Sequence, residues 1–120
     1  MKFIIVKPKI NQKEFLKIII DQFPEIKEEI LDDDYDGLIH LQISVFARYT
    51  NNYIKIKRFD EVKRIFDFFE KVIDKVDPDT ENALYVSFLE HIEFENMSEN
   101  EIKSFLKPIY FDSWKQLRNY

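Results

Sequence analysis

The sequence predicts an all-α fold, in which a single domain of about six to seven helices spans residues 1–120. Hydrophobic residues make up 45% of the chain and aromatic residues 16%, which is enough for a packed core. One Gly and 4 Pro leave few positions for the tight turns on which β-hairpins depend. Apolar residues recur at helical spacing along most of the chain, so helices are expected to form that core.

Two helices are predicted in the first quarter of the chain. Asn11 stands three residues before Glu14, as in a capping box, and predicts a first helix from about Gln12 to Phe23. Pro24 is suited to the first position of a short second helix, Glu25 to Leu31. The run of aspartates that follows should end this second helix.

A third helix, largely buried, is predicted from Leu38 to Tyr53 or Ile54. Its apolar residues form two neighbouring stripes. The first consists of Leu38, Leu41, Val45 and Tyr49, and the second of Ile39, Ile43 and Phe46. Apolar and polar residues alternate over residues 53–57, and residues 3–6 are all apolar. A pair of short strands formed by these two segments is therefore an alternative for them.

Four more helices complete the prediction. The fourth begins at Phe59 and should be the most buried, because it carries two apolar stripes. A turn over residues 77–80 leads into the fifth helix. The capping box of residues 98–101 opens the sixth, which Pro108 should close, and a short seventh starts at Asp112 or Ser113.

The loops between these helices are short, so successive helices are expected to run antiparallel. No Gly/Ser-rich or Pro-rich linker divides the chain, which favours one continuous domain. The helical pairs are expected to stack in a solenoid-like array of the ARM/HEAT kind or, as the alternative, to form a bundle.

The composition narrows the classes of function. The chain has no cysteine, so disulfides, thiolate metal sites and cysteine nucleophiles are excluded, and a cytoplasmic location is the simplest interpretation. No apolar run approaches the roughly 20 residues of a membrane span. A net charge of −5 and an isoelectric point near 5.1 argue against nucleic acid and against an anionic membrane as the main partner, because both attract basic surfaces.

The aspartate run before the third helix matches the first half of an EF-hand calcium loop. Asp32, Asp34 and Asp36 would occupy its first, third and fifth positions, and Gly37 the sixth. Ile43 stands where the bidentate glutamate is required, which argues against a calcium site. Two interpretations remain: a solvated turn in which Gly37 supplies unusual dihedral angles, or an acidic surface that meets a basic partner.

The sequence contains no convincing catalytic, metal or cofactor motif. Ser87, Glu90 and His91 are the residue types of a hydrolase triad, but they share one exposed helix, whereas triad residues converge from different segments. His40 and His91 lack the spacing of a zinc motif, and a single glycine excludes P-loop and dinucleotide-binding fingerprints. We therefore expect no enzyme, no bound metal and no cofactor.

Acidic residues are concentrated in two segments, residues 21–40 and residues 76–101. In the second segment, Glu90, Glu93 and Glu95 would project from the end of the fifth helix. Such a cluster either keeps the domain soluble or provides electrostatic complementarity to a cationic protein.

A family resemblance is carried by residues 65–70, 82–94 and 105–108 and by Trp114. These segments resemble a family of small, all-helical, uncharacterised bacterial proteins associated with immunity proteins encoded beside polymorphic toxins. The resemblance extends from about Leu38 to Tyr120. Its most specific part is the sequence LYVSFLEHIEF, residues 84–94.

The resemblance implies a bacterial immunity protein that binds one cognate toxin and occludes its active site or its access to substrate. Many toxins act on nucleic acids and have basic clefts, so the candidate contacts are Asp32, Asp33, Asp34, Asp36, Glu90, Glu93 and Glu95. No chemistry would be required of this chain, which we expect to be a monomer when free. The alternative is a cytosolic helical adaptor that holds a peptide or another protein.

Overall fold

The computed structural model describes residues 9–119, in which the chain is all-α, as predicted. Within these residues the α-helices are α1 Gln12–Gln22, α2 Lys27–Ile30, α3 Ile39–Lys55, α4 Phe59–Val72, α5 Pro78–Ala83, α6 Glu99–Lys103 and α7 Pro108–Arg118. Shorter pieces extend or join them, namely 3₁₀ turns at Pro24–Ile26, Asp33–Tyr35 and Leu89–His91 and a π-helical segment at Leu84–Phe88. None of the helices in residues 9–119 is both long enough and apolar enough to span a membrane.

Two of the helices begin at the predicted caps. At α1, Glu14 N–H donates to Asn11 Oδ1 at 2.9 Å. At α6, Ser98 and Glu101 form the complete capping box, with Ser98 N–H donating to Glu101 Oε1 at 3.0 Å. The hydrogen bond from the Ser98 backbone lowers the pKa of Glu101 below its ordinary value, because it favours the charged carboxylate.

The start of the last helix differs from the prediction, because Pro108 begins α7 rather than closing α6. α7 starts at Pro108, ahead of the predicted start at Asp112 or Ser113. Proline fits the first turn of a helix, since its φ is fixed near the helical value and its missing N–H needs no partner there. The preceding Lys107 N–H donates to Glu70 Oε1 on α4 at 2.9 Å, which ties this start to the core.

Residues 53–57 do not form the strand considered as an alternative, because α3 continues through Lys55. The helix ends with hydrogen bonds from Lys57 N–H to Ile54 O at 3.1 Å and from Arg58 N–H to Tyr53 O at 2.9 Å. These are the two bonds of a Schellman motif, and Lys57 adopts its left-handed conformation with φ of 59°. Residues 3–6, the other half of the predicted pair, lie outside the described residues.

The helix α3 lies at the centre of the hydrophobic core, where it packs against α2, α4, α5 and the π-helical segment. Its Phe46 is fully buried, and the centroid of its ring lies 5.2 Å from that of Phe23, 5.9 Å from Phe68 and 4.7 Å from Phe88. Aromatic pairs at these distances add to the stability gained by burial. The core is therefore organised around α3, which contacts elements that come before it and after it in the chain.

The rotation of α3 about its own axis differs from the predicted one. Ile43 and Phe46 are buried as expected, but Leu38 and Leu41 are 48% and 44% exposed. Three aromatic rings from other elements converge on Phe46, and Leu41 lies about 140° away from Phe46 around the helix. Gln42 lies only about 40° away, so it faces the interior instead.

Candidate protein-binding surface

The acidic turn, which connects α2 to α3, consists of Asp32, Asp33, Asp34 and Asp36. Residues 33–35 form one 3₁₀ turn, and Asp34 N–H donates to Asp32 Oδ1 at 2.9 Å. Gly37 follows with φ of 72°, the unusual dihedral angle predicted for it. The aspartates are exposed, and within residues 9–119 none of them forms an ion pair. In the same residues no group of at least three His, Cys, Asp or Glu is arranged to hold a metal ion.

Three exposed leucines border the acidic turn and form what we name the leucine patch: Leu31, Leu38 and Leu41. Leu31 immediately precedes the turn, and Leu38 follows it, one helical turn before Leu41. Their exposed fractions are 50%, 48% and 44%. Single exposed leucines are common, but a group of them bordered by charged residues is typical of protein-binding surfaces.

A groove of about 620 Å³ opens beside the acidic turn and is lined by residues of α1 and α2; we name it the α1–α2 groove. Leu16 and Ile20 of α1 provide apolar lining together with Leu31. The charged lining consists of Asp32, Asp33 and Asp36 from the acidic turn, Asp21, Lys13 and Lys17 from α1 and Lys27 from α2. Leu31 belongs to both the groove and the leucine patch, so the two adjoin at this residue.

The second predicted set of acidic residues does not form a free cluster. Glu95 forms an ion pair with Arg118 of α7. Glu90 is half-buried, and its backbone carbonyl accepts from Arg118 Nη1 at 3.0 Å. The Glu93 side chain is exposed, while its backbone N–H donates to Asn51 Oδ1 at 2.9 Å. Of this set, Glu93 is the one residue that is exposed and has no ion-pair partner within residues 9–119.

The two acidic sets lie at opposite ends of α3. The acidic turn leads into its first residue, Ile39, whereas Asn51, which contacts the backbone of Glu93, lies near its last turn. About 12 residues separate Ile39 from Asn51, which corresponds to roughly 18 Å along the helix axis. A partner that contacts both sets must therefore cover most of the exposed face of α3.

Ser87 is paired with His40 and not with His91. His40 Nδ1 and Ser87 Oγ lie 2.6 Å apart, which links α3 to the π-helical segment. His91 is exposed, and its backbone carbonyl accepts from Asn51 Nδ2 at 2.8 Å. Among residues 9–119, no carboxylate forms a hydrogen bond with His40, so this pair lacks the orienting group of a triad.

A polar groove of about 360 Å³ is lined by Glu29 of α2 and by residues 45–55 of α3. Arg48 Nη2 pairs with Glu29 Oε2 at 3.1 Å, and Tyr49 Oη donates to Glu25 Oε2 at 3.1 Å. Burial raises the pKa of Tyr49, and hydrogen bonds with Tyr53 and Glu25 raise it further, so Tyr49 stays a neutral donor near pH 7. These polar groups already have partners, which makes this groove a weaker candidate than the acidic turn.

The leucine patch and the α1–α2 groove were not predicted from the sequence. One signal for the patch was available, because the apolar residues of α3 extend beyond the single face that a packed helix buries. Leu38 and Leu41 are the apolar residues that lie outside this buried face. The groove has no comparable local signal, since its lining comes from separate elements.

The comparisons with known proteins extend this description. A family described as "Domain of unknown function (DUF7674)" matches residues 16–120, which include the acidic turn, the leucine patch and all elements from α2 to α7. No curated protein and no solved structure matches the chain. Because the family match covers most of the sequence, the chain belongs to the family of DUF7674 domains.

Proposed function

We propose that this chain is a bacterial immunity protein, which binds a cognate toxin in the cytoplasm and blocks its active site or its access to substrate. The toxin presents basic side chains to the acidic turn and apolar side chains to the leucine patch. The chain itself performs no catalysis, requires no cofactor and is a monomer until it binds.

The observation that carries the proposal is the juxtaposition of exposed leucines with carboxylates that have no ion-pair partner in the described part of the chain. Protein interfaces commonly have an apolar centre that loses its water and a polar rim that sets orientation. The leucine patch, Leu31, Leu38 and Leu41, supplies the apolar centre, and the acidic turn supplies the polar rim.

The overall charge and the family resemblance support the same partner. A net charge of −5 attracts a basic protein over distances of about 10 Å at 0.1 M salt. Toxins that cleave nucleic acids need basic clefts for their own substrate, so an acidic surface can compete for the same cleft. The sequence LYVSFLEHIEF resembles proteins associated with toxin immunity, and it forms the π-helical segment after α5, the 3₁₀ turn Leu89–His91 and the three residues that follow.

The first test is co-expression of this chain with the product of the neighbouring gene, followed by size-exclusion chromatography and growth assays. We expect the two proteins to elute together and the neighbour's toxicity to disappear. Separate elution, with no protection of growth, would contradict the proposal.

Two pairs of substitutions test the surface itself. Asp33→Lys with Asp34→Lys removes the attraction for a basic partner, and Leu38→Ser with Leu41→Ser removes apolar contact area. Each pair should weaken toxin binding at least about tenfold, which corresponds to about 1.4 kcal/mol, without changing the helical circular dichroism spectrum. Isothermal titration calorimetry measures the affinity.

Matched controls are available elsewhere on the surface. Asp67→Lys with Asp112→Lys changes the net charge by the same amount at exposed carboxylates on α4 and α7. Ile56→Ser with Ile109→Ser removes apolar side chains that are 64% and 66% exposed. If these controls lost as much affinity as the targeted pairs, the acidic turn and the leucine patch would not be the binding surface.

The α1–α2 groove favours a second candidate, a cytosolic helical adaptor that holds segments of several proteins. Apolar grooves lined by helices are a recurrent way to bind peptides. An adaptor would bind several ligands of similar sequence and would not protect cells from the neighbouring gene product. An immunity protein would bind one toxin and protect growth.

A further inference from the structure

The α1–α2 groove is lined by a glutamine whose side chain has no hydrogen-bond partner in residues 9–119. Gln42 of α3 lines the groove and is only 4% exposed. Six other polar side chains of α3 form hydrogen bonds, but within residues 9–119 the Gln42 side chain forms none. Within the described residues, the one side-chain atom that is shut off from solvent without a partner is Thr80 Oγ1, so the Gln42 amide still reaches solvent. It can therefore exchange water for a ligand that supplies a donor and an acceptor.

A peptide group is the chemical match for this amide. The Gln42 side chain offers two N–H donors and one carbonyl acceptor, so it can bind the C=O and the N–H of a peptide backbone. Leu16 and Ile20 lie beside it in the groove, and each is half-buried. The groove therefore provides apolar contact for a side chain next to a site for its backbone.

The charges around the groove favour particular residues next to the apolar side chain in a bound peptide segment. Asp32, Asp33 and Asp36 line the groove and have no ion-pair partner in residues 9–119. Lys13, Lys17 and Asp21 line it from α1, and Lys27 lines it from α2. The acidic turn contributes only carboxylates to this lining, so a bound segment is expected to place a basic side chain there and not an acidic one.

We infer that the α1–α2 groove binds a short segment of the toxin in which an apolar side chain is followed by Lys or Arg. The apolar side chain contacts Leu16 and Ile20, the backbone hydrogen-bonds to Gln42, and the basic side chain faces the acidic turn. The inference rests on the proposed function for the identity of the partner. A protein segment is favoured over a small molecule because Leu31 joins the groove to the leucine patch, so one partner can cover both.

Short peptides test the chemistry of the groove without the toxin. The probes are three capped hexapeptides with the central sequences Leu-Arg-Arg, Leu-Glu-Glu and Ala-Arg-Arg, added to the ¹⁵N,¹³C-labelled full chain and followed by NMR. We expect Leu-Arg-Arg to shift the side-chain amide signals of Gln42 and the methyl signals of Leu16 and Ile20. Leu-Glu-Glu and Ala-Arg-Arg should bind at least about fivefold more weakly. Equal binding of all three probes, or shifts confined to other residues, would overturn the inference.

Two substitutions test the groove in the complex with the toxin. Gln42→Leu keeps an apolar side chain of similar size in place and removes the amide, so binding should weaken about fivefold or more while the unfolding midpoint stays the same or rises. Leu16→Ala, at a half-buried position of α1 outside the leucine patch, is the second variant and serves as the test if Gln42→Leu does not fold. Unchanged affinity in the folded variants would overturn the inference.

The outcomes separate this inference from the proposed function. If the toxin binds with an affinity that does not depend on Gln42 or Leu16, the immunity function stands and the groove is not its binding site. If Leu-Arg-Arg occupies the groove but the toxin neither binds nor loses its toxicity, the groove chemistry stands and the immunity function fails.

Discussion

Gly37 and Lys57 both adopt left-handed backbone conformations, with φ of 72° and 59°. At Gly37 no heavy atom lies within 4 Å of the position that a Cβ would take, so the backbone alone explains the glycine. Lys57 carries a side chain in the same region, which costs roughly 1–2 kcal/mol per residue. The two Schellman hydrogen bonds at the end of α3 hold it there.

Lys57→Gly should therefore stabilise the protein. Glycine adopts the left-handed conformation without the steric cost of a Cβ, and we expect the free energy of unfolding to rise by about 1 kcal/mol, as measured by urea denaturation. The matched control is Lys55→Gly, in the last turn of α3, which should lower the free energy of unfolding by about 1 kcal/mol. A loss of stability in Lys57→Gly would show that the end of α3 is not limited by backbone strain.

The segment between the 3₁₀ turn Leu89–His91 and α6 is held by side chains from two helices. Trp114 Nε1 of α7 donates to Ile92 O at 2.9 Å, and Arg118 Nη1 donates to Glu90 O at 3.0 Å. From α3, Asn51 contacts the backbone on both sides of Ile92. Backbone groups outside regular helices need such partners, because an unpaired buried group is costly. This segment is therefore positioned by α3 and α7 together, and Glu93 with it.

Asn51→Ala should loosen this segment without unfolding the domain. The substitution removes the donor to His91 O and the acceptor for Glu93 N–H, so we expect a loss of about 1–3 kcal/mol in the free energy of unfolding. Hydrogen exchange of the Glu93 amide should become faster.

Asn52→Ala provides the control for Asn51→Ala, because Asn52 is exposed and its side chain forms no hydrogen bond within residues 9–119. It should change the free energy of unfolding by less than about 0.5 kcal/mol and leave the exchange of the Glu93 amide unaltered. Equal effects of the two alanine substitutions would mean that the Asn51 hydrogen bonds do not hold the segment.

At the scale of the whole molecule, the all-α class and the order of the helices were predictable because their signals are local. Asn11 with Glu14, and Ser98 with Glu101, act within single helical turns, and the structure contains both caps. The left-handed conformation of Gly37 was predictable for the same reason, since few other residues adopt it easily.

The features that escaped prediction depend on contacts between residues far apart in the sequence. Pro108 satisfies local rules both as a residue after a helix and as the first residue of one. The hydrogen bond from the preceding Lys107 N–H to Glu70 of α4 supports the second arrangement, and it joins residues far apart in the sequence. The exposure of Leu41 follows from the aromatic rings that gather around Phe46. The α1–α2 groove, likewise, exists only when α1, α2 and α3 are assembled.

The proposed binding surface combines charges and leucines. The charges should affect the association rate constant for the toxin, and the leucines should affect the dissociation rate constant. Charges act before contact, so Asp33→Lys with Asp34→Lys should lower the association rate constant about tenfold at low salt. Leu38→Ser with Leu41→Ser should leave that constant nearly unchanged and raise the dissociation rate constant, because apolar contacts form only in the docked complex. Surface plasmon resonance measures both constants.

The dependence of the rate constants on salt concentration distinguishes the charge variant from the leucine variant. Between about 0.05 and 0.5 M NaCl the screening length falls from roughly 14 to 4 Å, so the association rate constants of the charge variant and the unmodified chain should converge. The leucine variant should keep its faster dissociation at every salt concentration, since burial of apolar surface is not screened. If the charge variant instead differed only in dissociation, and equally at all salt concentrations, the acidic turn would act through direct contacts and not by steering a basic partner over the surface.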